Sequence, residues 1–230
     1  MTDLILPVHE IFASVCGEFP FTGIPAVFLR LHGCNRTCAY CDTPQKTAPT
    51  NMLVYEVINT LLAQIPRANP GIPFMVTGGE PLLYLEALDA LVAALRENYV
   101  QQSFGLETNG ELIRTTQDLT SFNCCCVSPK LKSSGRASNL DYLKIVAAAL
   151  NMDAPANLAF KFVLRSVDDV PDFVFEAARL AETGYKAPVA VQPAFGEVFM
   201  SQLFREIMHV APLPLPVRFS SQMHKHERMP

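Results

Sequence analysis

Short apolar runs alternate along this chain with longer amphipathic stretches, and this alternation constrains the fold more than any other feature. Seven runs are strand-like, at residues 26–31, 73–77, 104–107, 124–127, 158–164, 189–192 and 217–220. Helical stretches lie at residues 54–65, 82–98, 140–150, 169–183 and 197–210. Strands separated by helices form parallel βαβ units. The sequence therefore predicts an α/β fold, an incomplete TIM-like barrel of about six parallel strands with flanking helices.

The length and composition suit one domain. The chain has 230 residues, 50% of them hydrophobic, which suffices for one sizeable core. We predict a single domain over residues 1–230, with residues 2–22 as an N-terminal extension on the open side of the barrel. A net charge of −4 without a basic run argues against nucleic acid as a partner. No apolar run approaches the roughly 20 residues that span a bilayer, and no signal peptide is recognisable. We therefore expect a cytoplasmic protein without membrane or nucleic-acid partners.

Three cysteines, Cys34, Cys38 and Cys41, follow the first strand-like run with the spacing C-x3-C-x2-C. A structural zinc site needs four ligands, and His32 would have to complete it here. A [4Fe–4S] cluster held by three thiolates instead leaves one iron open to a small chelating molecule. Seven cysteines without a signal peptide also indicate a reducing compartment rather than a disulfide framework. The spacing therefore favours a cluster with one open iron, with zinc as the alternative.

Polar motifs follow the ends of the candidate strands. They are the cysteine loop, Thr-Gly-Gly-Glu-Pro at 77–81, Glu-Thr-Asn-Gly at 107–110, Ser-Pro-Lys at 128–130, Gln-Pro at 192–193 and Ser-Gln-Met-His-Lys at 221–225. In a barrel of parallel strands these ends share the face where ligands bind. We therefore expect the cluster and a ligand cavity on that face.

Several polar residues allow two interpretations. Arg30 lies in an apolar strand, so it needs an anion, either a substrate carboxylate or a structural partner. Lys161 raises the same question in a later strand. The Glu107 carboxylate reaches cofactor hydroxyls or belongs to an ordinary Asn-Gly turn. Asp42 and Thr43 offer hard oxygen atoms to Mg2+, or form a helix cap or turn.

A second group of cysteines, Cys124 to Cys126, lies within a strand-like run. Strand alternation places Cys125 on the opposite face from its two neighbours, so the three thiols cannot easily converge on one metal. A free cysteine is a good small core residue. We predict that this group belongs to the core.

The cysteine spacing and the Gly-Gly-Glu-Pro stretch resemble those of radical S-adenosylmethionine enzymes, in which the open iron binds the amino and carboxylate groups of the cofactor. Four other segments are more specific: residues 21–31, Cys-Asp-Thr at 41–43, Ser-Pro-Lys at 128–130 and Gln-Met-His-Lys at 222–225. Together they resemble the 7-carboxy-7-deazaguanine synthase family from about residue 8 to the C-terminus, nearly the whole chain.

That resemblance implies a lyase of queuosine and deazapurine biosynthesis with three cofactors: a [4Fe–4S] cluster, S-adenosylmethionine and Mg2+. The radical made from S-adenosylmethionine takes the C6 hydrogen of 6-carboxy-5,6,7,8-tetrahydropterin. The ring then contracts, ammonia leaves, and 7-carboxy-7-deazaguanine forms. The resemblance also implies a flavodoxin- or ferredoxin-type electron donor and a homodimer.

The same resemblance assigns roles at the matching motif positions. The cluster ligands are Cys34, Cys38 and Cys41, and the Mg2+ ligand is Thr43, with Asp42 in support. The substrate-binding residues are Val15, Cys16, Gly17, Arg30, Thr77 and Pro230. The residues at the S-adenosylmethionine site are Tyr40, Gly79, Glu80, Ser128, Pro129, Lys130 and Gln192.

One segment departs from the family pattern. Members commonly carry Gln-Gly-Glu-Gly near the N-terminus, whereas this chain has Cys16-Gly17-Glu18-Phe19. Backbone contacts survive that change and a glutamine side-chain contact does not, so we expect altered substrate binding there.

Two other functions stay open from the sequence. One is an activating enzyme of a glycyl-radical protein, which shares the three-cysteine loop and the Gly-Gly-Glu-Pro motif. The other is a non-catalytic metal-binding or redox protein.

Overall fold

A nine-stranded sheet forms the framework of the computed structural model, which describes residues 3–43, 47–66, 69–98, 103–151, 158–210 and 212–227. Its strands are β1 (Ile5–Val15), β2 (Pro25–Leu31), β3 (Thr50–Leu53), β4 (Phe74–Gly78), β5 (Phe104–Thr108), β6 (Cys124–Val127), β7 (Leu158–Leu164), β8 (Val189–Pro193) and β9 (Val217–Phe219). Their order in the sheet is β3-β1-β2-β4-β5-β6-β7-β8-β9.

Seven strands of this sheet, β2 and β4 to β9, pair in parallel. Each corresponds to one of the strand-like runs in the sequence, and the count is one above the six or so predicted. The two outer strands of the described sheet are β3 and β9, so the barrel is incomplete. The predicted fold class is confirmed.

Two strands, β1 and β3, were not predicted from the sequence. β1 pairs antiparallel with β2 on one side and with β3 on the other. The N-terminal extension therefore lengthens the sheet instead of only packing on its open side. Pro7, His9 and Glu10 interrupt the apolar pattern of β1, and a register shift lies between Val8 and Glu10. A half-exposed antiparallel strand tolerates such residues, which hides it from a search for apolar runs.

Helices pack against the sheet between its parallel strands. They are α1 (Val54–Ala63), α2 (Leu85–Asn98), α3 (Tyr142–Asn151), α4 (Val170–Glu182) and α5 (Met200–His209), followed by a short α6 (Met223–His226) in the tail. In α2, Leu88, Val92 and Leu95 are buried, as their helical spacing predicted. A 3-10 turn, Pro81–Tyr84, precedes α2 within the stretch predicted as one helix. None of the described helices is long and apolar enough to cross a membrane.

The two faces of the sheet bury different clusters. The main core lies between the sheet and the helices and contains Cys125. A smaller apolar cluster on the opposite face contains Cys16, Phe21, Met75 and Cys126, with Cys124 packed against it. The alternation predicted for the second cysteine group is therefore confirmed, and all of its thiols are free.

Candidate active site

A cavity of about 700 Å3 opens at the carboxyl ends of the parallel strands. This volume lies within the range of about 300–1,000 Å3 typical of ligand sites. Fourteen of the predicted site residues line it: Val15, Cys16, Gly17, Arg30, Cys34, Cys38, Tyr40, Cys41, Thr43, Thr77, Gly79, Ser128, Lys130 and Gln192. Glu80 and Pro129 are not among the lining residues, and Pro230 lies outside the described part of the chain.

The cysteine loop forms one wall of this cavity. The thiols of Cys34, Cys38 and Cys41 are free, and all three residues line the cavity. Three free thiols on one short loop, facing a cavity, fit a cluster that shares its open iron with a ligand.

The two glycines of the Gly-Gly-Glu-Pro stretch bring β4 against the base of the cysteine loop. Gly78 has a φ of 133°, and a Cβ there would lie 2.2 Å from the carbonyl oxygen of Leu31. The backbone N–H of Gly79 donates to that same oxygen at 3.0 Å, and the N–H of Glu80 donates to the carbonyl of Gly33 at 2.8 Å. Only glycine allows this approach at residue 78.

The carboxylate of Glu80 is fully buried and holds neighbouring segments together. It accepts hydrogen bonds from the N–H of Leu82 at 3.1 Å, the hydroxyl of Thr108 at 2.6 Å and the N–H of Asn109 at 2.8 Å. Burial raises the pKa of Glu80, and these hydrogen bonds oppose the rise. In this structure Glu80 therefore joins the Gly-Gly-Glu-Pro turn to the end of β5.

One side of the cavity carries polar groups from β6 and β8. The Lys130 ammonium donates to the Ser128 hydroxyl at 3.0 Å, and burial and the nearby Lys161 lower the pKa of Lys130. Gln192 is 2% exposed, and its Oε1 has no hydrogen-bond partner among the described residues. A buried polar atom without a partner is costly, so this oxygen is free to accept a hydrogen bond from a ligand or water in the cavity.

Arg30 lies beside the cavity at the β1 edge of the parallel strands. Its Nε donates to Glu10 at 2.6 Å, and its guanidinium lies over the ring of Phe12. The arginine is partly exposed rather than buried, with 22% of its side-chain surface accessible. Arg30 therefore has a structural carboxylate partner, and because it also lines the cavity, its role toward a substrate carboxylate stays a prediction.

Thr77 pairs in register with Arg30 on the adjacent strand and also lines the cavity. Its hydroxyl donates to the Glu107 carboxylate at 2.8 Å. Glu107 therefore faces the cavity rather than serving only as part of the turn that follows it.

A buried ion pair of the cavity joins Lys161 on β7 to Glu18. Glu18 also accepts from Gln222 Nε2 at 2.7 Å. The sequence indicated that Lys161 needs an anion, but it gave no role to Glu18, which lies 143 residues away. Burial opposes ionisation of Glu18, but the Lys161 ammonium outweighs that effect and lowers its pKa.

The C-terminal segment packs over the segment that follows β1. The N–H of Met223 donates to the carbonyl of Gly17 at 2.9 Å, and the N–H of Phe19 donates to the Ser220 hydroxyl at 3.2 Å. A Cβ on Gly17 would lie 2.1 Å from Nδ1 of His224. The two ends of the chain thus cover the side of the cavity that the incomplete barrel leaves open.

Cys16 faces inward within this covering segment. Its N–H donates to Ile24 and its carbonyl accepts from Gly23, both at 2.8 Å. Burial, with the Glu107 carboxylate adding to it, raises the pKa of the Cys16 thiol to about 12. Cys16 therefore presents a neutral, largely apolar side chain at the position where family members commonly have the polar amide of a glutamine.

Asp42 and Thr43 lie at the mouth of the cavity. The Thr43 hydroxyl donates to Asp42 Oδ1 at 3.4 Å, while Asp42 Oδ2 accepts from Gln222 Nε2 at 2.5 Å and from the Lys225 ammonium. Burial opposes ionisation, but the Lys225 and Gln222 hydrogen bonds lower the pKa of Asp42 to about 2. The pair is thus an ionised carboxylate beside a hydroxyl, a donor set that suits Mg2+.

The comparisons with known proteins agree with this geometry. The family model described as the radical SAM superfamily matches residues 29–152, more than half of the chain. A 7-carboxy-7-deazaguanine synthase from Methanospirillum hungatei JF-1 is 30% identical over 226 residues, covering 98% of this chain and 86% of the relative. Another, from Chlorobaculum tepidum, is 31% identical over 229 residues, covering 98% of this chain and 95% of the relative.

A solved structure supports the fold independently. The crystal structure of QueE from Escherichia coli matches with a TM-score of 0.65 at 22% identity, over 96% of this chain and 95% of that chain. Identity over nearly the full length, the cysteine loop and the cavity at the strand ends agree with one another. The chain belongs to the 7-carboxy-7-deazaguanine synthase family, within the radical SAM superfamily.

Proposed function

We propose that this protein converts 6-carboxy-5,6,7,8-tetrahydropterin to 7-carboxy-7-deazaguanine with loss of ammonia, as a lyase of queuosine or deazapurine biosynthesis. The observation that carries the proposal is that the three free thiols, Arg30 and the orphaned oxygen of Gln192 line one cavity. This supports the proposal because a guanidinium that can bind a carboxylate and three thiols that can hold a cluster line the same cavity.

Membership of the superfamily brings a [4Fe–4S] cluster and S-adenosylmethionine as cofactors. When bound, they supply a 5′-deoxyadenosyl radical that takes a hydrogen atom from the substrate. The protein's part is to position the reactants and exclude water. Cys34, Cys38 and Cys41 hold the cluster, and the residues that hold S-adenosylmethionine are Tyr40, Gly79, Ser128, Pro129, Lys130 and Gln192.

Glu80 is part of the same proposed cofactor site, but its role there is indirect. Its carboxylate receives donors from Leu82, Thr108 and Asn109, so it is already occupied. It supports cofactor binding by fixing the turn that contains Gly79.

Substrate binding is proposed for lining residues on β2 and β4 and in the segment at the end of β1. The Arg30 guanidinium attracts the pterin carboxylate, since a planar fork of donors suits a carboxylate. Thr77 contributes a hydroxyl. One wall of the substrate site is formed by Val15, at the end of β1, and by Cys16 and Gly17, which follow it. Pro230 is proposed to reach the substrate from the C-terminus.

Mg2+ is proposed to bind at Thr43, with the Asp42 carboxylate supporting it. The Thr43 hydroxyl lines the cavity and the adjacent carboxylate is ionised, which supports the proposal. Hard oxygen donors are the ligands that Mg2+ prefers.

The surroundings of the enzyme are also part of the proposal. We expect one domain, a cytoplasmic location, a flavodoxin- or ferredoxin-type electron donor and a homodimer. Exposed apolar side chains on α4 and α5, at Phe175, Phe204 and Met208, support an interface between two copies. Light scattering of the purified protein tests the dimer directly.

One assay separates this function from its two rivals. The protein is reconstituted anaerobically with iron and sulfide, reduced, and given S-adenosylmethionine with the carboxytetrahydropterin. We expect both 5′-deoxyadenosine and 7-carboxy-7-deazaguanine. If 5′-deoxyadenosine forms but the pterin stays intact, the synthase assignment is wrong and an activating enzyme is favoured. If neither 5′-deoxyadenosine nor 7-carboxy-7-deazaguanine forms, the enzyme assignment itself is wrong.

A further inference from the structure

Glu111, in the loop that follows β5, collects hydrogen bonds from three residues. Its carboxylate accepts from Asn35 Nδ2 at 3.1 Å, from Arg36 Nη1 at 2.6 Å and from both Nη atoms of Arg136, at 2.9 and 3.0 Å. The Glu111 side chain is only 8% exposed. A carboxylate that is buried to this extent and bonded on both oxygens is a fixed anchor.

Two of these partners, Asn35 and Arg36, lie between Cys34 and Cys38 in the cluster loop. The Arg36 side chain is 3% exposed, so its pair with Glu111 is a buried one. Removing one member of a buried pair leaves the other charge without compensation. The conformation of this part of the loop therefore depends on Glu111.

The loop that follows β6 completes the same network. Nη2 of Arg36 donates to the Ser134 hydroxyl at 2.9 Å and to the carbonyl of Arg136. The carbonyl of Ser134 accepts from the N–H of Ala39 at 3.0 Å. The cluster loop has no helix or strand of its own, so contacts from neighbouring strand ends hold its shape. Asn109 Nδ2 adds one more by donating to Asn35 Oδ1 at 2.8 Å.

We propose that Glu111 is the positioning residue of the cluster loop: by holding Asn35 and Arg36 it sets the spacing of the Cys34 and Cys38 thiols, and with Arg136 it sets the charge beside the cluster. A metal site binds tightly only when its ligands are held in place by surrounding contacts. The inference rests on the cluster that superfamily membership brings, and not on the pterin reaction.

The charge beside the cluster allows a test that separates this role from a merely structural one, because only the former changes the midpoint potential of the cluster. The network contains two guanidinium groups and one carboxylate, so Glu111→Gln adds one net positive charge and Arg136→Gln removes one. Reduction adds an electron to the cluster, and positive charge nearby favours the reduced form. The midpoint potential should therefore rise in the first variant and fall in the second.

The experiment compares Glu111→Gln and Arg136→Gln with a matched control, Glu176→Gln. Glu176 is also a poorly exposed carboxylate, 13% accessible, paired with Arg179 and bonded to Tyr142, but it lies on α4. Each variant is reconstituted anaerobically with iron and sulfide. Iron per chain, the electron paramagnetic resonance spectrum of the reduced cluster and its midpoint potential are measured without any substrate, and thermal unfolding of the apoprotein is followed in parallel.

We expect Glu111→Gln to bind at most half as much iron per chain as the wild type. The cluster that does form should have a more positive midpoint potential. Glu176→Gln should load iron fully even where its unfolding temperature falls. Arg136→Gln, whose side chain is 59% exposed in the wild type, should fold, load iron fully and show a more negative potential.

Two results would overturn the proposal. One is full iron loading in Glu111→Gln with an unchanged spectrum and potential. The other is iron loss that follows the loss of stability equally in Glu111→Gln and Glu176→Gln, which would make Glu111 an ordinary stabilising residue. If Glu111→Gln does not fold, the potential of Arg136→Gln decides alone, and an unchanged value there contradicts the proposal.

Discussion

Glu18 and Lys161 form a buried ion pair that fastens the segment after β1 to the inner face of β7. Lys161 is 6% exposed, and the Glu18 side chain is 15% exposed. The Gln222 amide donates to the same carboxylate, so both ends of the chain depend on it. The pair therefore connects the covering segments of the cavity to the barrel.

Lys161→Met should destabilise the fold by about 3–5 kcal/mol, because it leaves the Glu18 carboxylate buried without a cation. Denaturant unfolding measures this change. The exposed pair of Lys132 with Asp172 provides the matched control, since Lys132 is 74% exposed and Lys132→Met should cost at most about 1 kcal/mol. Equal losses in the two variants would contradict the account of the buried pair.

The same pair predicts a pH dependence. The pKa of Glu18 is lowered from its usual 4.5, so its contribution is complete above that pH and is lost as the pH falls through the lowered value. The pKa of Lys161 is raised from 10.5, so its contribution is complete below that pH and is lost as the pH rises through the raised value. The difference in unfolding free energy between wild type and Lys161→Met should therefore be largest between about pH 4.5 and 10.5 and shrink on the acid side.

Gly17→Ala should loosen the C-terminal segment, because the new Cβ would lie 2.1 Å from Nδ1 and 2.6 Å from the backbone N of His224. Overpacking of this kind costs about 1–3 kcal/mol. Trypsin cleavage after Lys225 should become faster than in the wild type. Gly71→Ala is the control, since nothing lies within 4 Å of a Cβ there, and its cleavage should be unchanged. Wild-type cleavage rates in Gly17→Ala would mean that this close contact is not maintained.

Much of this site follows from the sequence because parallel strands end on one face. That rule predicted that the cysteine loop, Thr77, Ser128 and Gln192 lie on one face of the barrel, and they line one cavity. It did not identify β1, whose apolar pattern is interrupted by polar residues and a register shift.

The charged partners were harder to predict. The position of Lys161 in an apolar strand predicted that it has an anionic partner. Hydrophobic periodicity gives no information on contacts across 143 residues, so the sequence did not identify Glu18 as that partner. Arg36 and Glu111 lie in polar loops where charged residues are ordinary, and nothing in the sequence distinguished them.

Cys16 should resist alkylation in the apoprotein. Its pKa of about 12, against an ordinary 9.0, reduces the thiolate fraction at pH 8 by about 1,000-fold, and the residue is 4% exposed. Iodoacetamide at pH 8, followed by mass spectrometry of the peptides, should label the exposed Cys34 and Cys41 first. Labelling of Cys16 at the rate of Cys41 would show that its thiol faces solvent instead of the apolar cluster.

Thr43→Ala should raise the Mg2+ concentration needed for half-maximal pterin turnover by at least about tenfold, because a proposed ligand of the ion is lost. The absorbance of the reconstituted cluster should stay unchanged. Thr120→Ala removes an exposed threonine hydroxyl elsewhere and should affect neither quantity. Loss of cluster absorbance in Thr43→Ala would instead make Thr43 a folding residue of the cysteine loop.

The proposed function requires that the cavity holds the pterin with its C6 hydrogen within reach of the radical made from S-adenosylmethionine. The most direct measurement uses 6-carboxytetrahydropterin deuterated at C6, with mass spectrometry of both the 5′-deoxyadenosine and the S-adenosylmethionine recovered after turnover. We expect deuterium in 5′-deoxyadenosine or in the recovered S-adenosylmethionine as 7-carboxy-7-deazaguanine accumulates, because loss of ammonia alone is redox-neutral and a hydrogen atom must return to the product. Formation of 7-carboxy-7-deazaguanine with no deuterium in either compound would mean that the C6 hydrogen is not the one taken.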